Sequence, residues 1–150
     1  MTISSKAAAR KICELSDWKV TNLQLNKILY LAHMGYMWEH KEPLIDQCFE
    51  AWDYGPVVPA IYHEAKKYGA KPIKMGFYTN QDISGSPEEN ELTQACIALL
   101  PQSPARLVSF THREEGAWAK HYRPGQKGVV IPNKDIVQEY ESMLERPDGQ

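Results

Sequence analysis

Apolar residues recur at helical spacing along most of the chain. Ala8, Ile12 and Leu15 form one stripe and predict a first helix from Ser4 or Ser5 to about Leu15. A stronger signal follows. Thr21 stands where an N-cap belongs, Gln24 completes a capping box, and Val20 and Leu25 hold the two positions of a hydrophobic staple. Leu25, Ile28, Leu29, Ala32 and Tyr36 keep the helical period, which predicts a second helix to about Trp38. Pro59 in a first turn and Gly69 as a stop frame a third, with Val58, Ile61, Tyr62, Ala65 and Tyr68 on one face. Ser86-Pro87-Glu88-Glu89 opens a fourth helix, with Leu92, Ala95, Cys96 and Leu99 as its stripe; Ser103-Pro104 opens a fifth reaching about Thr111. Gly116 to His121 reads as a further helical turn. Pro132 or Asn133 opens the last helix, with Ile136, Tyr140, Met143 and Leu144 facing inward.

Strand signals are short. Cys48 to Trp52 is aromatic and bounded by turn residues, Ile73, Met75 and Phe77 alternate, and Val129 to Ile131 is β-branched. Asp53-Tyr54-Gly55-Pro56 has turn chemistry. Asn80 to Asn90, rich in Ser, Gly, Asp and Pro, predicts a surface loop, and Arg146 to Gln150 a frayed tail. The expected architecture is mainly α: a compact helical domain with a small accessory β-sheet of short strands, spanning 1–150 with its core at about 5–145.

Composition narrows the function classes. A chain of 150 residues with 43% hydrophobic and 24% charged side chains can bury a real core, which excludes general disorder. A net charge of −2 is unlike that of a dedicated nucleic-acid binder, although a local basic patch stays open. Apolar runs such as Cys96 to Leu100 are too short to span a membrane, and Met1 to Arg10 lacks the pattern of a signal peptide. The expectation is a cytoplasmic protein with no membrane partner. Cys13, Cys48 and Cys96 are odd in number and without a CxxC pair, against a disulfide framework or a zinc ribbon.

Catalytic signatures are missing. His63-Glu64-Ala65-Lys66-Lys67 begins like a zinc-protease motif but has Lys where the second histidine must stand. Gly125-Gln126-Lys127-Gly128 is a lone turn without the strand that a phosphate loop requires. His33 and His40 lack a third ligand at matching spacing, and His112, near a helix end, reads as a structural imidazolium facing unpaired carbonyls. Cys13 and Cys96 read as small core residues. The reading is therefore no enzyme, no cofactor and no metal, with Cys–His chemistry as a distant alternative.

Two features stand out. The second helix is apolar nearly all round: opposite the Leu25–Ile28–Leu29 face stand Leu23, Tyr30, Met34, Met37 and Trp38, interrupted by Lys27. Either neighbours enclose this helix, or its second side meets a partner, with Lys27 as a rim charge. The other feature is the joint Phe49-Glu50-Ala51-Trp52-Asp53-Tyr54-Gly55-Pro56-Val57-Val58-Pro59, where Trp52 and Tyr54 are held about a tight turn. Lys27, Tyr30, Met34, Trp52, Tyr54, Gly55 and Pro56 are thus the candidate partner-binding residues, with Trp52 and Tyr54 expected at the base of a groove beside the second helix.

These same segments carry a family resemblance. Thr21-Asn22-Leu23-Gln24-Leu25-Asn26-Lys27-Ile28-Leu29-Tyr30-Leu31-Ala32 resembles the TxLkLqKLLYfa run of the Panacea-domain family, which includes SocA-like antitoxins and phage-associated GepA-like proteins. Phe49 to Tyr62 is similar to its EAWxYGPVvPxvY run, and Thr111-His112, Trp118, Ile131 and Ile136 to Tyr140 to its closing pattern. Arg113-Glu114-Glu115-Gly116 and the 80–90 loop depart from it. The resemblance implies an antitoxin of a toxin–antitoxin system that neutralises a cognate protein toxin by direct contact, with a protease or operator DNA as further partner classes. The rival readings are a DNA-binding regulator of its own operon, for which Lys120, His121, Arg123 and Lys127 would contact phosphate, and a cryptic Cys/His hydrolase.

Overall fold

The structure, a computed structural model, describes residues 2–145; the expected frayed tail 146–150 lies outside the described residues. Local sequence chemistry sets the helix starts. The Ser4 hydroxyl accepts from the Ala7 N–H and opens α1 (Ser5–Leu15). Thr21 Oγ1 accepts from the Gln24 N–H at 3.2 Å while Gln24 Oε1 accepts from the Thr21 N–H at 2.9 Å. This reciprocal cap opens α2 (Asn22–His40), which runs two residues beyond the expected Trp38 to a left-handed Lys41. Ser86 and Ser103, each followed by proline at the first helical position, open α4 and α5 below.

After α2 the chain forms strands β1 (Phe49–Trp52) and β2 (Gly55–Val57). It continues with α3 (Pro59–Ala65), extended by one tighter turn, Lys66–Tyr68, that stops at Gly69. Then come α4 (Pro87–Leu99), α5 (Pro104–Thr111), α6 (Ala117–His121), β3 (Val130–Ile131) and α7 (Asn133–Glu145). The sheet is antiparallel in the order β2-β1-β3, with Glu50 opposite Val57 on one side and Val130 on the other. The architecture is mainly α with a small three-stranded sheet.

The second helix is the axis of the molecule. The helices α1, α3, α4, α5 and α7 and strand β2 all pack against it. Leu25, Ile28, Leu29, Ala32 and Tyr36 are buried, as the periodicity required. So are Lys27, Tyr30, Met34 and Met37, which decides between the two readings of this side in favour of enclosure and places the candidate partner residues Tyr30 and Met34 in the core. A helix apolar around most of its circumference is stable only when enclosed, and that outcome holds here. Tyr30 packs edge-on against Phe49 and donates to Glu139 Oε1 at 2.8 Å, so both its ring and its hydroxyl are satisfied internally.

Three further expectations are corrected. Gly55 and Pro56 are not turn residues: the hairpin turn is Asp53-Tyr54 alone, and Pro56 lies on an edge strand, where a missing N–H is tolerated. Ile73, Met75 and Phe77 do not form a strand. Gly76 and Phe77 both have positive φ, which breaks the extended chain, and the Phe77 N–H donates to the Glu64 carboxylate; Ile73 is held by its N–H on Val20 O at 2.9 Å. Leu144 faces outward, 56% exposed, while its neighbour Met143 keeps the inward side of the last turn of α7 against the core. Among the described residues no helix is long and apolar enough to cross a membrane.

Candidate functional site

The hairpin, α2 and α3 meet through a buried amide relay. Asn26, on α2, takes the Val58 N–H on its Oδ1 at 3.0 Å and gives its Nδ2 to Asn22 Oδ1 at 2.9 Å. Asn22 in turn donates to Tyr62 O at 3.2 Å. Val58 is the residue preceding α3, so α2 supplies the cap that α3's own sequence lacks. This fixes the angle at which α3 leaves the sheet. The resulting gap is a groove of about 530 Å³ between α2, the hairpin and α3, of a size ordinary for ligand and side-chain pockets.

Its walls are aromatic. Trp52 is half-buried, directs its indole N–H to Glu50 Oε1 at 2.9 Å, and stands edge-on to Tyr62 with ring centres 4.9 Å apart. Tyr54, at the tip of the turn, is 71% exposed. Behind the hairpin the rings of His112, Trp118 and Tyr122 stack in sequence at 3.8 and 4.6 Å. Trp118 donates to Trp52 O at 2.7 Å and Tyr122 to Asp53 Oδ1 at 2.6 Å. The exposed turn is thus braced from below by α6, which makes its aromatic tip a rigid projection.

The groove is also basic. Lys27, His63, Lys66 and Lys127 line it, against the single carboxylate of Asp53. Lys27 is 1% exposed, and its Nζ makes one long hydrogen bond, to Pro56 O at 3.4 Å. Burial alone pulls its pKa from 10.5 down to about 7. His112 lies on the other side of Gly55, with its Nε2 buried and without a hydrogen-bond partner. Its pKa is held low chiefly by burial and further by the Lys27 charge, against the backbone of Tyr54, which raises it. This corrects the reading of His112 as a charged helix-end group.

Gly55 explains how these groups come so close. At φ +117° it adopts a conformation that L side chains avoid, and a Cβ there would stand 2.9 Å from Lys27 Cε and 3.1 Å from both Lys27 Nζ and His112 Nε2. Only a residue without a side chain lets the strand pass between them.

Of the candidate partner residues, the structure brings Lys27, Trp52 and Tyr54 onto the groove, with Gly55 and Pro56 forming the strand behind it. Tyr30 and Met34 lie further along α2 in the core and do not reach it. Sequence reasoning missed Asn22, Asn26, His63 and Lys66 as parts of this site. The two asparagines had left a signal, an i, i+4 amide pair on an otherwise apolar helix. Lys127, read as part of a phosphate-contacting cluster, belongs to the groove rim with Gly125 and Gln126. The rest of that cluster is engaged locally: His121 meets Asp135 at 2.6 Å, and the Arg123 guanidinium donates to Lys120 O and Tyr122 O. The Cys13 and Cys96 thiols are pushed up to about 12 and about 11 by burial, away from thiolate chemistry. Among the described residues no three potential metal ligands converge.

The sequence that builds this site has a counterpart among known families. The model of the family described as antitoxin SocA-like, Panacea domain matches residues 25–119, and the chain belongs to that family. The chain is also similar to antitoxin SocA of Caulobacter vibrioides (strain NA1000 / CB15N), at 27% identity over 130 residues, covering 78% of this chain and 69% of that protein. No solved structure matches. The matched segment runs from the first turn of α2 into α6, and so contains Lys27, the whole hairpin, α3 and His112.

Proposed function

We propose that this chain is an antitoxin that neutralises a cognate protein toxin by direct, stoichiometric binding in the cytoplasm, without chemistry of its own. The groove face carries the contact. Tyr54 is the observation that supports this most: a large aromatic side chain left exposed at the tip of a turn that α6 braces from below. Aromatic anchors on a rigid, preformed surface contribute most of the binding energy in protein interfaces, because little is lost in ordering them. Trp52 and Tyr62 form the wall beside it. Binding then masks the working surface of the toxin or presents it to a protease; both need the same primary contact. Family membership and the similarity to SocA support the antitoxin role.

The test is co-expression with the product of the neighbouring open reading frame. The wild-type chain restores growth and co-purifies with the toxin. Tyr54→Ala keeps the melting temperature, since the ring is exposed, and loses rescue. Rescue by the wild-type chain without association, direct or through a protease, would sink the proposal.

A further inference from the structure

We infer that the groove between α2, the β1–β2 hairpin and α3 receives a carboxylate side chain from an apolar-flanked acidic segment of the toxin, with Lys27 as its partner. The inference deepens the antitoxin reading of this face and rests on it.

The first ground is Lys27 itself. Buried ammonium groups are ordinarily matched by a carboxylate, because desolvation otherwise outweighs what a single carbonyl returns. Lys27 is 1% exposed and has only Pro56 O at 3.4 Å. No carboxylate lies within ion-pair distance of its Nζ among the described residues. The second ground is its neighbour. His112 Nε2 is buried without a well-formed hydrogen bond, the Tyr54 backbone being the group that reaches the ring, close to the same point beside Gly55. Two basic groups and no acid face one another across a glycine.

The third ground is the approach. Lys27 lines a groove whose other basic side chains are His63, Lys66 and Lys127, with Asp53 as the one carboxylate in its lining. Asp53 is already occupied by the Tyr122 hydroxyl at 2.6 Å. The field in the groove therefore favours an anion. Its shape then selects among anions. Leu23, Val57 and the rings of Trp52 and Tyr62 also form its walls, so a carboxylate with apolar neighbours fits both surfaces. A nucleic-acid backbone carries its phosphates on the outside of a wide polymer and does not reach an ammonium at this depth. The narrow side chain of an aspartate or glutamate on an extended peptide is the anion such a groove admits most readily. Burial of the ion pair would also make the contact specific, since a neutral side chain in the same place leaves Lys27 unmatched.

The experiment is an NMR titration of the full chain, reporting on the Trp52 indole N–H. The probes are N-acetyl-Leu-Glu-Leu-amide, its glutamine counterpart, and glutarate. The glutamate peptide is expected to bind at least ~10-fold more tightly than the glutamine peptide, and Lys27→Met to abolish that preference. Equal affinity for the two peptides overturns the inference, as does a preference that survives in Lys27→Met. Glutarate binding as tightly as the glutamate peptide overturns the peptide occupant in favour of a free small diacid. Should Lys27→Met fail to fold, the peptide contrast on the wild-type chain decides alone. Growth rescue by the wild-type chain, measured in parallel, separates the two claims. Rescue with no peptide preference removes this inference only, and a peptide preference with no rescue removes the antitoxin reading only.

Discussion

Lys27→Met should make the free protein more stable, and by an amount that depends on pH. The lysine is an ordinary amine with a pKa of 10.5 when unfolded and is held at about 7 in the fold by burial. Between those two values the unfolded chain binds a proton that the folded chain does not, so stability rises with pH across this window. At or below pH 7 the full penalty applies; above pH 10.5 it vanishes. At about 1.4 kcal/mol for each pH unit, the largest penalty is about 5 kcal/mol. Methionine has a similar length and no charge, so it removes this penalty while filling the same space. The hydrogen bond to Pro56 O goes with it, returning about 1 kcal/mol. The net gain at pH 7 is then ~2–4 kcal/mol, which at this chain length raises Tm by roughly 5–15 °C. The assay is thermal melting of both proteins in a pH series from 6 to 10. The gap should be constant below pH 7 and close as pH rises, because the wild type gains what the variant already has. Groups common to both proteins cancel in the difference. A gap that does not change with pH, or a variant less stable throughout, would refute the reading of Lys27 as a buried amine without a counter-ion.

Three other outcomes are expected. Gly55→Val should lower Tm, since the φ of +117° alone costs a branched side chain ~1–3 kcal/mol and its Cβ meets Lys27 Cε at 2.9 Å; an unchanged melt would remove the close-approach argument. Leu29→Ala, at a position with no exposed surface, should cost ~2–5 kcal/mol by chemical denaturation, and a loss under about 1 kcal/mol would place Leu29 outside the core. His33 is buried between Asn133 Oδ1 at 3.0 Å and the Ile45 N–H, and burial lowers its pKa from 6.5 to about 4, against the Asn133 hydrogen bond. Its neutral form therefore supports the fold above pH 6.5 and that support, up to about 3 kcal/mol, is lost as pH falls towards 4; an imidazole NMR titration with a midpoint near 6.5 would contradict this.

What the sequence disclosed follows from how local each signal is. The Thr21–Gln24 cap, the Ser-Pro helix starts and the Phe49–Trp52 strand are decided by residues a few positions apart, and the structure keeps them all. The position of the groove beside α2 was also legible, because the aromatic hairpin and the apolar helix were the two unusual segments. Which side of α2 faces solvent was not. Periodicity reports the difference between two faces, and a helix enclosed on all sides has none to report. Lys27 misled for a related reason: a charged residue is a good marker of exposure except where a site requires otherwise. His63, Lys66, His112 and Lys127 come from three separate parts of the chain, and nothing in the spacing of any one of them refers to the others.

Three departures from local rules meet at one place. A lysine that should be exposed is buried, a ring nitrogen that should be paired is not, and a strand residue has a φ of +117°, all around one point beside Gly55. Each is unfavourable to folding by itself, and a core built for stability alone would place an apolar side chain at 27 and a β-branched residue in the strand. The cap relay through Asn22 and Asn26 even spends two buried amides to hold α3 at the angle that keeps the groove open. Folding energy alone gives no reason for such a concentration. A site that must present a desolvated positive charge to an incoming partner does give one, because the desolvation is then already in place before the partner arrives.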